Sequence, residues 1–226
     1  MDAVLFDLDG TLIDTWRLYV AAYGRTLEPH LGHAPGIAEI ARLKPTSEYR
    51  LLSNALGEAQ APAAHREFIA HYEALHETYC DGLYPGVPEL LAALRAEGRR
   101  LGLVTGKTRP AWEITQSRCA LGPFEVVVTD EDVRTPKPHP EGLLLAARRL
   151  ALAPARCLYV GDSLADLGAA REAGMAFAAV LWCKGPGERD AFRAQALEQG
   201  ARACLERPRE LAGLLDDEPA TPAAAG

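Results

Sequence analysis

The chain has 226 residues, 48% of them hydrophobic and 24% charged, and a formal net charge of −7. That length and composition describe a globular protein of one or two domains with a sizeable core. The negative charge argues against a nucleic-acid partner, and no apolar run approaches the ~20 residues of a transmembrane helix, so no membrane partner is expected.

Asp2 stands where a signal peptide would want basic residues, which reads as a cytoplasmic protein. The five cysteines are odd in number and scattered, with no Cys-x-x-Cys pair. Zinc and redox motifs are therefore unsupported, and the expectation is reduced thiols in or near the core. The six histidines show no metal-like spacing either. No long heptad pattern appears, so the sequence carries no oligomerisation signal, and a monomer or a homodimer is the expectation.

In chain order, residues 3–7 are an apolar run that ends at Asp7 and Asp9, followed by Gly10 and Thr11. This reads as a buried strand that stops where the acids begin. Residues 16–83 contain no convincing strand. Phe68, Ile69, Tyr72 and Leu75 recur at helical spacing, and four or so helices are expected there. The segment leaves just after the first strand and returns at Tyr84-Pro85-Gly86, so it should sit above the acids as a lid.

From about residue 84 the chain alternates. Val87, Leu90, Leu91 and Leu94 mark a helix, with Pro88 near its start and Gly98 at its end. Strands are expected at 101–104, 126–128, 158–160 and 177–181, and helices after Arg109-Pro110, over 139–151 and over 164–173. Such alternation implies βαβ units. The expected fold is α/β, a doubly wound parallel sheet with an inserted helical cap. The core is residues 1–15 and 84–215, the cap 16–83, and 216–226 a disordered acidic tail.

Four strand ends carry polar groups: Asp7-x-Asp9, Thr105-Gly106, Lys137 within Thr-Pro-Lys-Pro-His-Pro, and Gly161-Asp162-Ser163 with Asp166 four residues on. In one parallel sheet they converge on one edge. Two acids there suit a divalent cation with oxygen ligands, Mg²⁺ above all. A carboxylate attacking a phosphoryl group meets a repulsion of about 4 kcal/mol at ~4 Å and an effective dielectric near 20. A cation and a lysine offset it. Gly102-Leu-Val-Thr-Gly106-Lys107-Thr108 nearly spells a P-loop, but its glycines are one residue too close. Lys107 then reads as a solvated loop lysine, with a place in the lining of the substrate cleft as the alternative.

These motifs, Asp7-Leu-Asp9-Gly-Thr, Thr105, Lys137-Pro and Gly161-Asp162-Ser-x-x-Asp166, resemble in order and spacing the four motifs of the haloacid dehalogenase superfamily. The resemblance covers roughly residues 1–215 and implies a Rossmann-like core with a helical cap of the first type. The stretch Tyr159 to Met175 is most similar to the phosphoglycolate phosphatase group. By resemblance, Asp7 is the nucleophile that forms an aspartyl-phosphate. Asp9 protonates the leaving alkoxide and then activates water. Thr105 and the Gly106 N–H hold phosphoryl oxygens, and Lys137 neutralises charge. Mg²⁺ would bind the Asp7 and Asp162 carboxylates and the Asp9 carbonyl, with Asp166 acting directly or through a water. In the cap, Lys44 and Arg50 are candidate contacts to a substrate carboxylate or phosphate.

The implied activity is Mg²⁺-dependent hydrolysis of a small phosphorylated metabolite, with a phosphoglycolate-like ester favoured. One alternative is a phosphosugar mutase of the β-phosphoglucomutase type, although such relatives carry Glu-Asp where this chain has Gly161-Asp162. Another is a non-catalytic binding or regulatory protein on the same fold. Dehalogenase relatives lack the second acid, and Asp9 is present here.

Overall fold

The computed structural model describes residues 1–43 and 46–216. Lys44 lies outside the described residues, as does the expected tail from residue 217 onward.

The elements run β1 (Ala3–Phe6), β2 (Ile13–Asp14), α1 (Trp16–Leu31), α2 (Ile37–Arg42), α3 (Glu48–Leu56), α4 (Ala61–Tyr79), β3 (Gly82–Leu83), α5 (Val87–Ala96) and β4 (Arg100–Val104). They continue with α6 (Arg109–Arg118), β5 (Val126–Val128), α7 (Glu141–Arg149), β6 (Cys157–Gly161), α8 (Leu164–Ala173), β7 (Ala176–Val180), α9 (Pro186–Glu198), β8 (Ala203–Leu205) and α10 (Glu210–Asp216). Six strands form a parallel sheet in the order β5-β4-β1-β6-β7-β8. The chain winds outward to β5 on one side of β1, then crosses to β6 on the other. That reversal makes the crevice between the ends of β1 and β6 the place where ligands bind in open α/β sheets.

Both sheet faces are covered. Ala3 and Leu5 of β1 join one hydrophobic cluster, with Tyr159 of β6 and Phe177 of β7. Val4 and Phe6 join the other, with Val160, Val180 and the α5 leucines. A strand whose alternate residues both meet apolar layers must be continuously apolar, which is why Val4-Leu5-Phe6 carries no polar residue. Each such side chain contributes about 1.5–3 kcal/mol by its burial. The expected strands are present within a residue or so. The sequence reading had no strand at β8, whose three residues are too short to show a period.

Helices α1 to α4 form a third cluster. Leu18, Ala22, Tyr23 and Leu27 of α1 pack on Phe68, Tyr72 and Leu75 of α4. Ala111 of α6 also enters this cluster, so the insertion rests on a helix of the core. The two connections are paired with each other, Ile13 with Leu83 and Asp14 with Gly82, as an antiparallel two-residue ribbon. Among the described residues, no helix is long and apolar enough to cross a membrane.

Candidate active site

Four strand ends supply the polar groups. Asp7 follows β1, and its N–H donates to the Val160 carbonyl of β6 (2.9 Å). Thr105 follows β4, Lys137 lies after β5, and Asp162 follows β6. With Asp9 and Gly106 they line one cavity of about 840 Å³ between the sheet edge and the insertion. Two glycines let the loops approach. Gly10 has φ +80°, and a Cβ there would sit 2.7 Å from Asp162 Oδ2. A Cβ on Gly161 would lie 2.7 Å from the Asp166 side chain.

Lys137 is the hub of the first charge group. Its Nζ donates to Asp7 Oδ1 (2.9 Å), Asp166 Oδ1 (2.6 Å) and the Tyr159 hydroxyl (3.0 Å). Burial favours the neutral amine, but Asp166 and Asp7 outweigh it and hold Lys137 charged. Asp166 is fully buried and does not line the cavity. Its Oδ1 also accepts from Tyr159, and its Oδ2 takes the Ser163 hydroxyl (2.6 Å) and N–H (3.1 Å), which caps α8. Despite burial, Lys137, Ser163 and Tyr159 keep its carboxyl below the usual range. Both oxygens are therefore occupied, which fits a residue that anchors Lys137 better than one that reaches into the cavity.

Burial pushes the Asp7 carboxyl up to about 8, against the pull of Lys137 and with Asp166 and Asp162 adding to the rise. Asp162 is likewise pushed up by burial, while Lys184 Nζ, 2.7 Å from its Oδ2, pulls it down. One oxygen from each of Asp7, Asp162 and Asp166 falls within 4.8 Å of the others. Three carboxylates thus share two ammonium groups, Lys137 and Lys184. An all-oxygen cluster with surplus negative charge fits Mg²⁺ by ligand type and by charge.

Lys107 departs from the sequence reading. It is 1% exposed rather than solvated. Its Nζ lies 3.2 Å from Asp9 Oδ1 and 3.8 Å from Glu48 Oε1, and donates to the hydroxyls of Tyr19 (2.5 Å) and Tyr72 (3.0 Å). Burial disfavours its charge, but Asp9, Tyr72 and Glu48 hold it protonated. Glu48, from α3, accepts from Tyr19 (2.6 Å) and from the Thr108 N–H (2.6 Å), and burial pushes its carboxyl up. Asp9 Oδ1 also accepts from Thr15 (2.5 Å). The sequence reading missed Tyr19, Glu48 and Tyr72. The near-P-loop spelling is incidental to the role of Lys107, and its partner Glu48 lies 59 positions away in the chain, too far for any local pattern to show.

Arg50 was expected at the substrate. Instead its Nε donates to Asp130 Oδ1 (2.9 Å) and its Nη2 to the Arg134 carbonyl (3.2 Å), and it does not line the cavity. Ser47 donates to the other Asp130 oxygen (2.8 Å). A guanidinium at the start of α3 finds the nearest core carboxylate, so Arg50 latches insertion to core. Trp16 and Ile37, both about half exposed, line the cavity from the insertion side.

The latch brings the insertion down onto Gly106. A Cβ there would collide with the Thr46 carbonyl oxygen, a backbone atom rather than the end of a flexible side chain. Gly106→Ala is therefore expected to push the insertion off the sheet edge and lower kcat/KM by at least tenfold with little loss of Tm. Steady-state kinetics beside a melting curve checks this; unchanged kinetics would mean the contact is not made during turnover.

Comparison with known proteins agrees with this architecture. A family model described as haloacid dehalogenase-like hydrolase matches residues 4–180. The N-acetylmuramic acid 6-phosphate phosphatase of Pseudomonas aeruginosa is 34% identical over 233 aligned positions, covering 96% of this chain and 95% of that protein. The phosphoglycolate phosphatase of Xylella fastidiosa is 36% identical, covering 79% of this chain and 80% of that protein. Among solved structures, CbbY from Rhodobacter sphaeroides in complex with phosphate superposes with a TM-score of 0.78 at 27% identity, over 93% of this chain and 96% of that one.

Proposed function

The chain belongs to the haloacid dehalogenase-like hydrolase family, and on that premise we propose that it hydrolyses a phosphomonoester of a small metabolite, with Asp7 as nucleophile and Mg²⁺ as cofactor. One observation carries the reading: Asp7, Asp9, Thr105, Lys137 and Asp162, which follow four different strands, line a single cavity.

In the proposed reaction a carboxylate oxygen of Asp7 attacks phosphorus, and the bond from phosphorus to the ester oxygen breaks. The leaving alkoxide takes a proton from the Asp9 carboxyl. Asp9, now a carboxylate, removes a proton from water, whose oxygen attacks the aspartyl-phosphate and frees Asp7 and inorganic phosphate. The Thr105 hydroxyl and Gly106 N–H hold the phosphoryl oxygens. Lys137, positioned by Asp166 and Tyr159, offsets the charge that Asp7 and the phosphoryl group bring together. The Asp7 and Asp162 carboxylates and the Asp9 carbonyl would hold Mg²⁺, which supplies positive charge for the phosphoryl oxygens.

The substrate's remaining atoms face Trp16, Ile37, Arg17 and Lys184. Arg17 is already paired with Asp81 (3.0 Å) and Lys184 with Asp162 (2.7 Å), so the preference for a short phosphorylated acid, phosphoglycolate as the favoured case, rests on likeness to the phosphoglycolate phosphatases. Phosphate release from a panel of esters, with and without Mg²⁺, tests the proposal. Mg²⁺-dependent release, with phosphoglycolate among the fastest, is expected. No release from any ester, or isomerisation of a sugar phosphate without net release, contradicts it.

Metal binding has a pH signature. In the metal-free protein the Asp7 carboxyl sits near 8, well above its unfolded value. A raised carboxyl pKa means the folded state holds the extra proton, so the stability this group contributes is present at low pH and is lost as pH rises through 8. Tm of the metal-free protein should fall between pH 6 and 9, and saturating Mg²⁺ should restore more of it at pH 9 than at pH 6. An Mg²⁺ effect on Tm that does not grow with pH is the contrary result.

A further inference from the structure

The fold gathers three side chains that the sequence keeps apart. His76 and Cys80 lie one turn apart at the C-terminal end of α4, and Cys119 caps α6. One ligand atom from each falls within 4.8 Å of the other two. His76 is 3% exposed, and its Nε2 is buried with no hydrogen-bond partner among the described residues. A buried polar nitrogen left unpaired costs about 1–3 kcal/mol, so something of matching chemistry is wanted there. Both cysteines are partly exposed free thiols, and Cys80 Sγ lies against the Cys119 thiol and the His76 ring besides a long contact to the Asp14 carbonyl (3.8 Å). The sequence reading counted these cysteines as scattered core thiols. The His-x-x-x-Cys spacing on one helix was the available signal, and the third member comes only with the packing of α4 on α6.

We propose that His76, Cys80 and Cys119 form a three-ligand site for Zn²⁺, distinct from the carboxylate cluster at the end of β1, that ties the helical insertion to the core.

The donor chemistry separates the two sites. One nitrogen and two sulfurs suit zinc, whereas the oxygen-only carboxylates of Asp7 and Asp162 suit Mg²⁺. Zinc bonds of about 2.3 Å to sulfur and 2.0–2.1 Å to nitrogen place tetrahedral ligand atoms roughly 3.5–3.8 Å apart. Side-chain rotation has at most about 1.3 Å to close. On binding, each thiol releases its proton to solvent, the imidazole coordinates through an unprotonated nitrogen, and water takes the fourth position. The location gives the ion a mechanical consequence. His76 and Cys80 belong to the insertion, and Cys119 to the core. Cys80 immediately precedes the return ribbon, where Asp81 N–H donates to the Asp14 carbonyl (3.1 Å). A bound ion therefore fixes α4 against α6 beside the covalent connection.

The test uses the full chain, stripped by a chelator, reduced with a phosphine, and held in excess Mg²⁺ so that the carboxylates are occupied. Co²⁺ is the probe. One equivalent per chain should bind, with thiolate-to-cobalt charge-transfer absorption, and one equivalent of Zn²⁺ should displace it. C80S and C119S should each abolish the absorption and weaken binding by more than ~100-fold, beyond the 10–100-fold typical of lost outer contacts. H76A should weaken it similarly. C183S is the control, because the Cys183 thiol lies 3.6 Å from Asp162 and could ligate an ion in the carboxylate cluster; it should leave the signal intact. In the wild-type protein, where no variant can misfold, stoichiometric Zn²⁺ should remove two thiols from reaction with a disulfide reagent. No charge-transfer band in the wild type, a band that survives both C80S and C119S, or an unchanged thiol count overturns the proposal.

Discussion

Lys107→Met should cost the protein about 3–5 kcal/mol of stability and 10²–10⁴-fold in turnover, because it leaves the buried Glu48 carboxyl and the cavity-lining Asp9 carboxyl without the ammonium they share. The ammonium is buried between Asp9 at 3.2 Å and Glu48 at 3.8 Å, and Glu48 is itself 1% exposed. The methionine stem would fill the space between the Tyr19 and Tyr72 rings, which lie 4.4 and 4.7 Å from Nζ. Volume is thus nearly conserved, and the loss is electrostatic. The turnover loss has a separate origin. Lys107 and Thr15 hold Asp9 Oδ1 in place, and a carboxyl that moves a proton must be held within hydrogen-bond reach of it. Removing Glu48 as well relieves the surplus charge, so Lys107→Met/Glu48→Gln should regain stability without regaining turnover. Denaturant unfolding beside kinetics with p-nitrophenyl phosphate separates the two effects. A single variant as stable and as active as wild type would mean that the buried network is idle.

Asp7→Asn should eliminate turnover, with a fall on the order of 10⁶-fold as for other lost nucleophiles. Folding should survive. Burial works against the Asp7 charge, so a neutral isostere that still accepts from Lys137 removes a cost, and the metal-free variant should resist denaturant at least as well as wild type. Asp9→Asn is expected to behave differently. Its proposed contact with Mg²⁺ is through the backbone carbonyl, so Mg²⁺ affinity should stay within a few-fold while turnover drops by about 10²–10⁴. Calorimetric titration of Mg²⁺ into both variants checks the asymmetry. Comparable loss of Mg²⁺ affinity in the two would undo it.

Much of this was legible in the chain because the informative residues are local. Val4-Leu5-Phe6 followed by Asp7 announces a buried strand and where it stops. The residues at the ends of β4 and β6 are equally contiguous with their strands, so the convergence of Thr105 and Asp162 followed from parallel order alone. What escaped depends on contacts between distant segments. Lys107 looks solvated because nothing near it in sequence pairs with it, while Tyr19, Glu48 and Tyr72 arrive from three helices of the insertion. Arg50 looked free for a ligand until Asp130, 80 positions on, claimed it. Asp166 sits in the motif but caps its own helix and grips Lys137, a division that spacing cannot express.

The central claim is that phosphorus bonds to Asp7 during turnover. Acid quench of the enzyme in mid-reaction, borohydride reduction and peptide mass spectrometry read it directly, since reduction converts an aspartyl-phosphate to homoserine. The expected result is homoserine at position 7 alone, formed only with substrate and Mg²⁺ present and absent from Asp7→Asn. Steady turnover with an unmodified Asp7, or reduction at another carboxyl, contradicts the account.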